Sequence, residues 1–192
     1  MNCRPEDMLL YAVTDRAWLK GETLESQVEK ALKGGATFVQ LREKELDEAE
    51  FLEEAKKLKI LCRKYQVPFV INDNVKIALA VDADGVHVGQ SDIKGRNIRA
   101  MIGPDRILGI SAGTVEEARA AEKAGADYIG VGAVFGTSTK KDARNLSVEK
   151  LREISASVSI PVVAIGGINR SNVGELSGSD VDGIAVISAL FG

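Results

Sequence analysis

The sequence predicts an α/β fold, a short (β/α)8 barrel of the TIM type formed by residues 1–192 as a single domain. Short apolar runs rich in Val, Ile and Phe recur along the chain, and segments with helical periodicity separate them. Such strict alternation is typical of βαβ units in a parallel sheet. Four junctions also repeat one design, in which a helix end, small residues and usually an aspartate precede an apolar strand.

The expected strands follow in order along the chain, and each is a short run of the kind that crosses a buried sheet once. They are "LLYAV" (9–13), "TFVQL" (37–41), "PFVIN" (68–72), "DGVHVG" (84–89), "RILGI" (106–110), "DYIGVG" (127–132), "PVVAIG" (161–166) and "DGIAVIS" (182–188).

The expected helices fill the seven gaps between these strands, and several end in glycine, as a helix C-cap does. They are "LESQVEKALKGG", "DEAEFLEEAKKLKILCRKY", "NVKIALAV", "GRNIRAMIG", "VEEARAAEKAG", "SVEKLREISAS" and "SNVGELSG". The chain stops at "ISALFG", so we expect the usual closing helix of the barrel to be lacking or truncated.

An open doubly wound sheet is the structural alternative to the barrel. It normally has fewer strands and a G-x-G-x-x-G fingerprint after the first strand, whereas "AVTDRAW" contains no such motif. The equivalent repeated units favour a closed, roughly symmetric array.

Composition and charge exclude several classes of protein. Apolar residues make up 45% of the chain and charged residues 28%, with a net charge of −3. Neither a signal peptide nor an apolar run of about 20 residues is present. Cys3 and Cys62 lack metal-ligand spacing, and we expect Cys62 to be a buried reduced thiol. These features predict a cytoplasmic protein with no nucleic-acid or membrane partner, and they leave open a homo-oligomer.

Cationic side chains follow two of the expected strands, on the face where such barrels place their working loops. Gln40, Arg42 and Lys44 share one parity along an extended chain, so we expect them to point the same way. Lys140 lies in the loop "FGTSTKKDA" (135–143). A guanidinium fork and mobile ammonium groups suit a polyanion such as diphosphate. The alternative is a solvated charge run at the start of a helix.

Two carboxylates lie on the same face. Asp73, next to Asn72, follows the third strand, and Asp92 follows the fourth. Alone they would repel an anion, but a hard cation between them, Mg2+ above all, would join them to a diphosphate. Each could instead begin the helix that follows it.

A second anion site is indicated after the last two strands. Gly166 and Gly167 let the backbone approach a ligand closely, and Ser188 follows the eighth strand, in the region where many barrels bind phosphate. Thr137 and Thr139 could add hydroxyl donors. A tight turn and a flexible polar loop are the structural alternatives.

The sequence contains no arrangement for covalent catalysis. His87 is the single histidine, and no Ser-His-Asp or Cys-His constellation is present. His87 is either a satisfied strand histidine or a polar contact to substrate. Ser111 follows the fifth strand. The cations and carboxylates predicted on this face suit a reaction in which a stabilised leaving group departs better than one in which a protein nucleophile attacks.

At "QLREK", "NDN", "GVHVGQSD", "GTSTKKD" and "GGI" the sequence resembles the thiamine phosphate synthase family, also called thiamine-phosphate pyrophosphorylase. The resemblance runs from "YAVTD" at residue 11 to "VIS" at 188. It implies a (β/α)8 transferase that joins 4-amino-2-methyl-5-(diphosphooxymethyl)pyrimidine to 4-methyl-5-(2-phosphooxyethyl)thiazole and releases pyrophosphate. The implied mechanism is dissociative, through a pyrimidine carbocation that the thiazole nitrogen captures.

The resemblance also implies a role for each matching residue. It places the pyrimidine diphosphate at Gln40, Arg42, Lys44, Asn72, Ser111 and Lys140, of which Arg42, Lys44, Lys140 and Ser111 would be catalytic. It places Mg2+ at Asp73 and Asp92, and the thiazole phosphate at Thr137, Ser138, Thr139, Gly167 and the Ile187–Ser188 backbone. Many relatives carry proline where this chain has Gly136.

Three other functions compete with this interpretation. A thiazole tautomerase would bind the same thiazole phosphate but would not need the cationic clamp or the carboxylate pair. A sugar-phosphate isomerase or epimerase needs a tuned acid and base, and no such pair stands out. A ligand-binding relative without turnover would share the same residues.

Overall fold

The computed structural model describes residues 2–136 and 145–192, and its eight parallel strands close into a barrel in which β1 pairs with both β2 and β8. Closure confirms the predicted (β/α)8 fold and excludes the open doubly wound sheet. The strands are β1 Leu10–Val13, β2 Phe38–Leu41, β3 Phe69–Asn72, β4 Gly85–Val88, β5 Ile107–Ala112, β6 Tyr128–Val131, β7 Val162–Ile165 and β8 Gly183–Val186.

Eight α-helical segments accompany these strands in the described residues. They are α1 Leu24–Lys33, α2 Glu48–Lys64, α3 Val75–Ala80, α4 Gln90–Ile93, α5 Ile98–Ile102, α6 Val115–Lys123, α7 Val148–Ser155 and α8 Ser188–Phe191. All of these helices except the four-residue α4 and α8 begin with a side-chain cap, as in α2, where Asp47 and Glu50 form a reciprocal capping box. Short 3₁₀ turns lie at Pro5–Met8, Arg16–Trp18 and Val173–Leu176.

One expected helix is wrong in type. The segment "SNVGELSG" between β7 and β8 forms only the four-residue 3₁₀ turn Val173–Leu176, which has no side-chain cap. Glycines at 174 and 178 disfavour a longer α-helix, because glycine loses the most backbone freedom on ordering. After β8 the chain forms one helical turn, α8.

Four two-point hydrogen-bonded clamps join the strands at the N-terminal face of the barrel. In each clamp the residue just before an even-numbered strand accepts a hydrogen bond through its side chain from a backbone N–H near the start of the preceding strand, at 2.8–2.9 Å. Its own N–H donates to the carbonyl of that same partner, at 2.7–2.9 Å. The pairs are Thr37 with Leu10, Asp84 with Phe69, Asp127 with Leu108 and Asp182 with Val162.

These clamps explain the sequence repeat. The residue that precedes the strand in each of the four repeated junctions is the clamping residue, which is why an aspartate or a threonine occupies it. Buried backbone N–H groups need an acceptor, and a short oxygen-bearing side chain supplies one without lengthening the loop.

The core has two layers, inside and outside the strands. The outer layer packs the helices on the barrel and includes Cys62, which is fully buried with a free thiol, as expected. The inner layer is a smaller cluster centred on three aromatic side chains, Tyr11, Phe38 and Tyr128. Their rings meet edge to face with centroids 4.6–5.8 Å apart, a favoured aromatic geometry. The barrel interior is therefore filled rather than open.

Replacing Asp182 by alanine should lower the free energy of unfolding by about 1–3 kcal/mol, because the Val162 N–H loses its side-chain acceptor. Urea denaturation followed by circular dichroism measures the change. Asp105→Ala removes an exposed carboxylate before β5 that makes no hydrogen bond within the described residues. This control variant should lower the free energy of unfolding by less than about 0.5 kcal/mol. Equal losses in the two variants would contradict the clamp.

Candidate active site

The C-terminal ends of β2 to β5 bring several predicted site residues to one mouth of the barrel. The strand register pairs Asn72 with His87, and His87 with Gly109, two residues before Ser111. The loops then touch one another, since Lys44 Nζ after β2 donates to Asp73 Oδ2 after β3 at 2.7 Å. Parallel strands therefore assemble groups that are far apart in the sequence.

The three residues of "QLREK" with common parity reach three different partners. The Gln40 amide is 4% exposed and donates into the barrel interior, to the Tyr11 hydroxyl. Arg42 donates to Asp15 Oδ2 at 3.2 Å, on the β1 side, whereas Lys44 bonds Asp73 on the β3 side. Strand β2 ends at Leu41, so the alternation of a strand does not govern the last two residues.

Glu43 lies between Arg42 and Lys44 in the sequence, and its buried ion pair holds the loop after β2 against the chain segment that follows β1. Its side chain is only 2% exposed and receives the Arg16 guanidinium at 3.1 Å. Burial raises the pKa of Glu43, against the opposing effect of the hydrogen bond from Arg16. Arg16 also reaches Glu54 on α2 at 3.4 Å. Our sequence interpretation gave Arg16 no role, because ion pairs between distant segments leave no local pattern.

Asp73 and Asp92 lie close enough at the mouth for each carboxyl group to shift the pKa of the other. Burial and the neighbouring charge of Asp73 raise the pKa of Asp92. Burial alone would also raise the pKa of Asp73, but the ion pair with Lys44 outweighs it and the pKa lies below its usual value. The more acidic Asp73 therefore stays ionised while its charge opposes ionisation of Asp92.

The helix-cap alternative is wrong for Asp73. The side chain that caps α3 is that of Asn74, which accepts the Ile77 N–H at 3.0 Å. Asp73 instead has a left-handed backbone with φ of 63°, uncommon for a non-glycine residue. Asp92 does accept the Gly89 N–H at the start of α4, at 3.2 Å.

The donor set at this mouth fits a Mg2+ ion. Two adjacent carboxylates and the Asn72 amide, which donates to Asp73 at 2.9 Å, supply oxygen groups of the kind that Mg2+ prefers. No group of three or more His, Cys, Asp or Glu side chains suited to a metal occurs in residues 2–136 and 145–192. Mg2+ commonly binds through one or two carboxylates together with substrate phosphates and water, so a pair is sufficient.

A cavity of about 560 Å³ opens beside these groups and is lined by Lys44, Asn72, Asp73 and Arg96, among others. Arg96 adds a cation that the sequence interpretation did not include. Its guanidinium donates to the Asp92 carbonyl oxygen at 3.4 Å. Arg96 follows α4 rather than a strand, so its position in the sequence gives no sign that it reaches the barrel mouth.

A chain of hydrogen bonds crosses the filled interior and ends at two predicted site residues. Gln40 Nε2 contacts the Tyr11 hydroxyl at 2.6 Å, which contacts the Tyr128 hydroxyl at 2.6 Å. The Tyr128 hydroxyl meets His87 Nδ1 at 2.9 Å, and His87 Nε2 meets Ser111 Oγ at 2.9 Å. His87 is therefore bonded at both ring nitrogens, as in the satisfied-histidine alternative.

The predicted phosphate region lies across the mouth, after β6, β7 and β8. Gly167 has φ of 63°, and a Cβ there would lie 2.1 Å from the Gly136 carbonyl oxygen, so the "GGI" turn packs directly on the start of the β6 loop. Ile187 and Ser188 form the start of α8, where Ser188 is exposed. Thr137, Ser138, Thr139 and Lys140 lie outside the described residues.

Comparison with known proteins decides the family. A family model described as thiamine monophosphate synthase matches residues 10–190. The chain belongs to this family. A thiamine-phosphate synthase of the family from Clostridium tetani is 53% identical over 186 residues, which cover 97% of this chain and 89% of the relative. A solved thiamine phosphate pyrophosphorylase from Pyrococcus furiosus is 47% identical, with a TM-score of 0.89 over 98% of this chain and 89% of that one.

A more distant structural neighbour shows how far the fold alone extends beyond the family. The N-acetylmannosamine-6-phosphate 2-epimerase from Clostridium perfringens superposes with a TM-score of 0.67 at 18% identity, covering 99% of this chain and 92% of that one. At that identity the likeness shows the barrel only. The family match, together with the site, therefore favours the thiamine transferase over the epimerase alternative.

Replacing Asp92 by asparagine should raise the thermal midpoint of the metal-free protein at pH 7. The raised pKa means that the ionised Asp92 carboxylate is disfavoured in the folded state, and asparagine removes its charge while keeping an acceptor for the Gly89 N–H. The gain should shrink as the pH falls through the raised pKa, because the wild-type carboxyl then becomes neutral as well. Calorimetry in EDTA, with Asp105→Asn as control, measures both effects. An unchanged or lower thermal midpoint of Asp92→Asn at pH 7 would contradict the claim that the ionised Asp92 carboxylate destabilises the folded protein.

Proposed function

We propose that the chain condenses 4-amino-2-methyl-5-(diphosphooxymethyl)pyrimidine with 4-methyl-5-(2-phosphooxyethyl)thiazole to give thiamine phosphate and pyrophosphate. The family is one of transferases that join pyrimidine and thiazole parts. The observation that carries the proposal is the contiguous array of Lys44, Asp73 and Asp92, in which a cation and two carboxylates from three loops meet at one barrel mouth.

The diphosphate would lie over this array. Lys44 and Arg42 would contact its oxygens, with Lys140 from the β6 loop, because ammonium and guanidinium groups stabilise phosphate charge strongly. Asp73 and Asp92 would hold a Mg2+ ion, which when bound offsets negative charge on the diphosphate. Asn72 is placed beside Asp73 to orient both the carboxylate and the substrate.

The pyrimidine would enter the mouth above the filled interior, where Gln40 and Ser111 are held. The C–O bond to the diphosphate breaks first, its electron pair leaves with the pyrophosphate, and the pyrimidine methylene becomes a carbocation. The thiazole nitrogen then supplies the electron pair for the new C–N bond. No protein nucleophile is needed, and Arg42, Lys44 and Lys140 stabilise the charge that develops on the leaving group.

The thiazole phosphate would bind across the mouth. Support for this placement comes from Gly167, whose turn packs against Gly136 at the start of the β6 loop. Backbone N–H groups of Gly167 and of Ile187–Ser188, with the hydroxyls of Thr137, Ser138 and Thr139, would contact the phosphate. The two substrates would then meet between the β2–β4 loops and the β6–β8 loops.

We further propose that residues 1–192 act as a single domain in the cytoplasm on small-molecule substrates. Both cysteines are free and buried, which is usual where thiols stay reduced. In residues 2–136 and 145–192 no helix has the length and apolar character to cross a membrane.

The first test is a coupling assay with both substrates, in which thiamine phosphate is followed by the fluorescence of its oxidised form. Product should form with Mg2+ and disappear with EDTA. Asp92→Asn should lower kcat/KM by about 100-fold or more, since charge neutralisation by a metal is worth several kcal/mol. Asp105→Asn should retain full activity. Conversion of only the thiazole substrate would point to a tautomerase, and binding of both substrates without product to a non-catalytic relative.

The second test concerns the cationic clamp. Lys44→Gln should raise KM for the pyrimidine diphosphate by about 10- to 100-fold, because a charged hydrogen bond to phosphate contributes about 1.5–3 kcal/mol. KM for the thiazole phosphate should change little. Lys56→Gln, which removes an exposed ammonium group from α2, is the matched control. An equal rise of both KM values in Lys44→Gln would argue against contact with the diphosphate.

A further inference from the structure

We propose that Tyr11, Tyr128 and His87 form a positioning relay that orders the hydrogen bonds of the barrel interior in one direction, so that the Ser111 O–H points to substrate as a donor. The inference rests on the proposed function, because it takes Gln40 and Ser111 as contacts of the pyrimidine diphosphate. It adds two tyrosines that lie below the mouth and act through other residues.

The direction of the relay follows from the Gln40 end. Gln40 Nε2–H donates to the Tyr11 oxygen, so the Tyr11 O–H must find another acceptor, and the Tyr128 oxygen at 2.6 Å is that acceptor. The Tyr128 O–H then donates to His87 Nδ1 at 2.9 Å. A neutral imidazole with an accepting Nδ1 carries its proton on Nε2 and donates it to Ser111 Oγ. In residues 2–136 and 145–192 the Ser111 hydroxyl bonds only His87, so its proton is left to bond a ligand.

The reverse direction is unfavourable. Tyr11 would then receive hydrogen bonds from both Gln40 and Tyr128, and its own O–H would have no acceptor in the part of the chain that the structure describes. Tyr11 is 1% exposed and Tyr128 is fully buried, so water cannot supply one. A buried hydroxyl donor without a partner costs about 1–3 kcal/mol, which is enough to select one direction.

The backbone is shaped to admit the relay. A Cβ at Gly109 would lie 2.2 Å from Tyr128 Cζ and 2.6 Å from His87 Nδ1, so the contact between these two side chains requires a glycine in the middle of β5. A Cβ at Gly130 would lie 3.3 Å from His87 Cε1. Glycine weakens a strand, and the space it gives here is occupied by the hydrogen bond.

Packing alone does not account for the tyrosine hydroxyls. Phe38 stands in the same aromatic cluster, with its ring centroid 4.6 Å from that of Tyr11, and fills the interior without a polar group. Burial raises the pKa of both tyrosines, so each remains a neutral O–H donor at neutral pH. The two hydroxyls therefore supply the hydrogen bonds that connect Gln40 with His87, and the Tyr128 hydroxyl is the one that sets the His87 tautomer.

The primary experiment reads the proton position directly. His87 is the only histidine in the chain, so protein labelled with 15N-histidine and freed of any affinity tag gives ring signals from this residue alone. Proton–nitrogen correlation spectra without substrate should show the neutral tautomer protonated at Nε2. In Tyr128→Phe, Nδ1 loses its donor, and the fraction protonated at Nδ1 should rise. In Tyr11→Phe the tautomer should persist, because Tyr128 keeps its own proton.

The kinetic arm uses the coupling assay. Tyr128→Phe should lower kcat/KM for the pyrimidine diphosphate about tenfold, the value of one net hydrogen bond, with KM for the thiazole phosphate unchanged. Tyr11→Phe should also lower kcat/KM, through Gln40, without the tautomer shift. Tyr65→Phe removes an equivalent hydroxyl that bonds Glu29 on the outer surface. This control should stay within about twofold of the wild type.

Each outcome decides the proposal. A wild-type His87 protonated at Nδ1, or a Tyr128→Phe tautomer equal to that of the wild type, overturns the relay. If Tyr128→Phe shifts the His87 tautomer but leaves kcat/KM unchanged, the relay exists but has no part in turnover, and that part of the proposal is overturned. If Tyr128→Phe does not fold, the wild-type tautomer still decides the direction, because the reverse direction requires the proton on Nδ1. Absence of product with the wild type means that the proposed function fails, and the spectra then judge the relay by itself.

Discussion

The structure depends on the four two-point clamps that join neighbouring strands at the N-terminal face. Each uses one short side chain to accept a backbone N–H and the same residue's own N–H to reach the partner carbonyl. Because the clamps recur at every even-numbered strand, they tie the strands in pairs and set the stagger between them. Stagger fixes how the barrel closes, and closure determines which side chains meet at the opposite end.

The two ends of the barrel consequently do different work. The clamping side chains at this end bond the protein's own backbone. Two of them also accept from a cationic side chain, Asp127 from Arg99 at 2.6 Å and Asp84 from Lys59 at 2.8 Å. The interior is filled by a cluster of buried side chains centred on three aromatic rings. The open end carries the cations and carboxylates, and the filled interior gives that mouth a rigid floor. Gln40 and Ser111, which lie in β2 and β5 above this floor, are therefore positioned by strands rather than by loops.

Much of this arrangement could be predicted from the sequence. The apolar runs located the eight strands to within a few residues, because a buried parallel strand needs a continuous apolar stretch whatever its neighbours. Strand-end reasoning also found Lys44, Asp73 and Asp92, which the structure brings together. It worked because parallel strands present their C-terminal ends on one face, which is a property of topology and not of packing detail.

The features that could not be predicted depend on contacts between residues far apart in the sequence, which local sequence patterns do not encode. Tyr11 and Tyr128 read as ordinary strand aromatics, and only a register linking residues 117 positions apart shows that their hydroxyls meet. Arg42 and Lys44 were expected to follow strand alternation, but they lie beyond the end of β2 and their directions are set by Asp15 and Asp73. The 3₁₀ turn before β8 lacks a side-chain cap and has glycine at positions 174 and 178, so a weak periodic pattern was misleading there.

The electrostatics of the mouth follow from these internal partners. Arg42 is already paired with Asp15, and Lys44 with Asp73, so each cation has a carboxylate partner in the absence of substrate. Under the proposed function, binding of a diphosphate would be an exchange of partners, and its net gain would be the difference between phosphate and carboxylate contacts rather than the full attraction. If Lys44 turned to the phosphate, Asp73 would lose its counter-charge beside Asp92, and the two carboxylates would repel each other more strongly. A divalent cation would relieve that repulsion, so binding of the diphosphate and binding of the metal would each favour the other at this site.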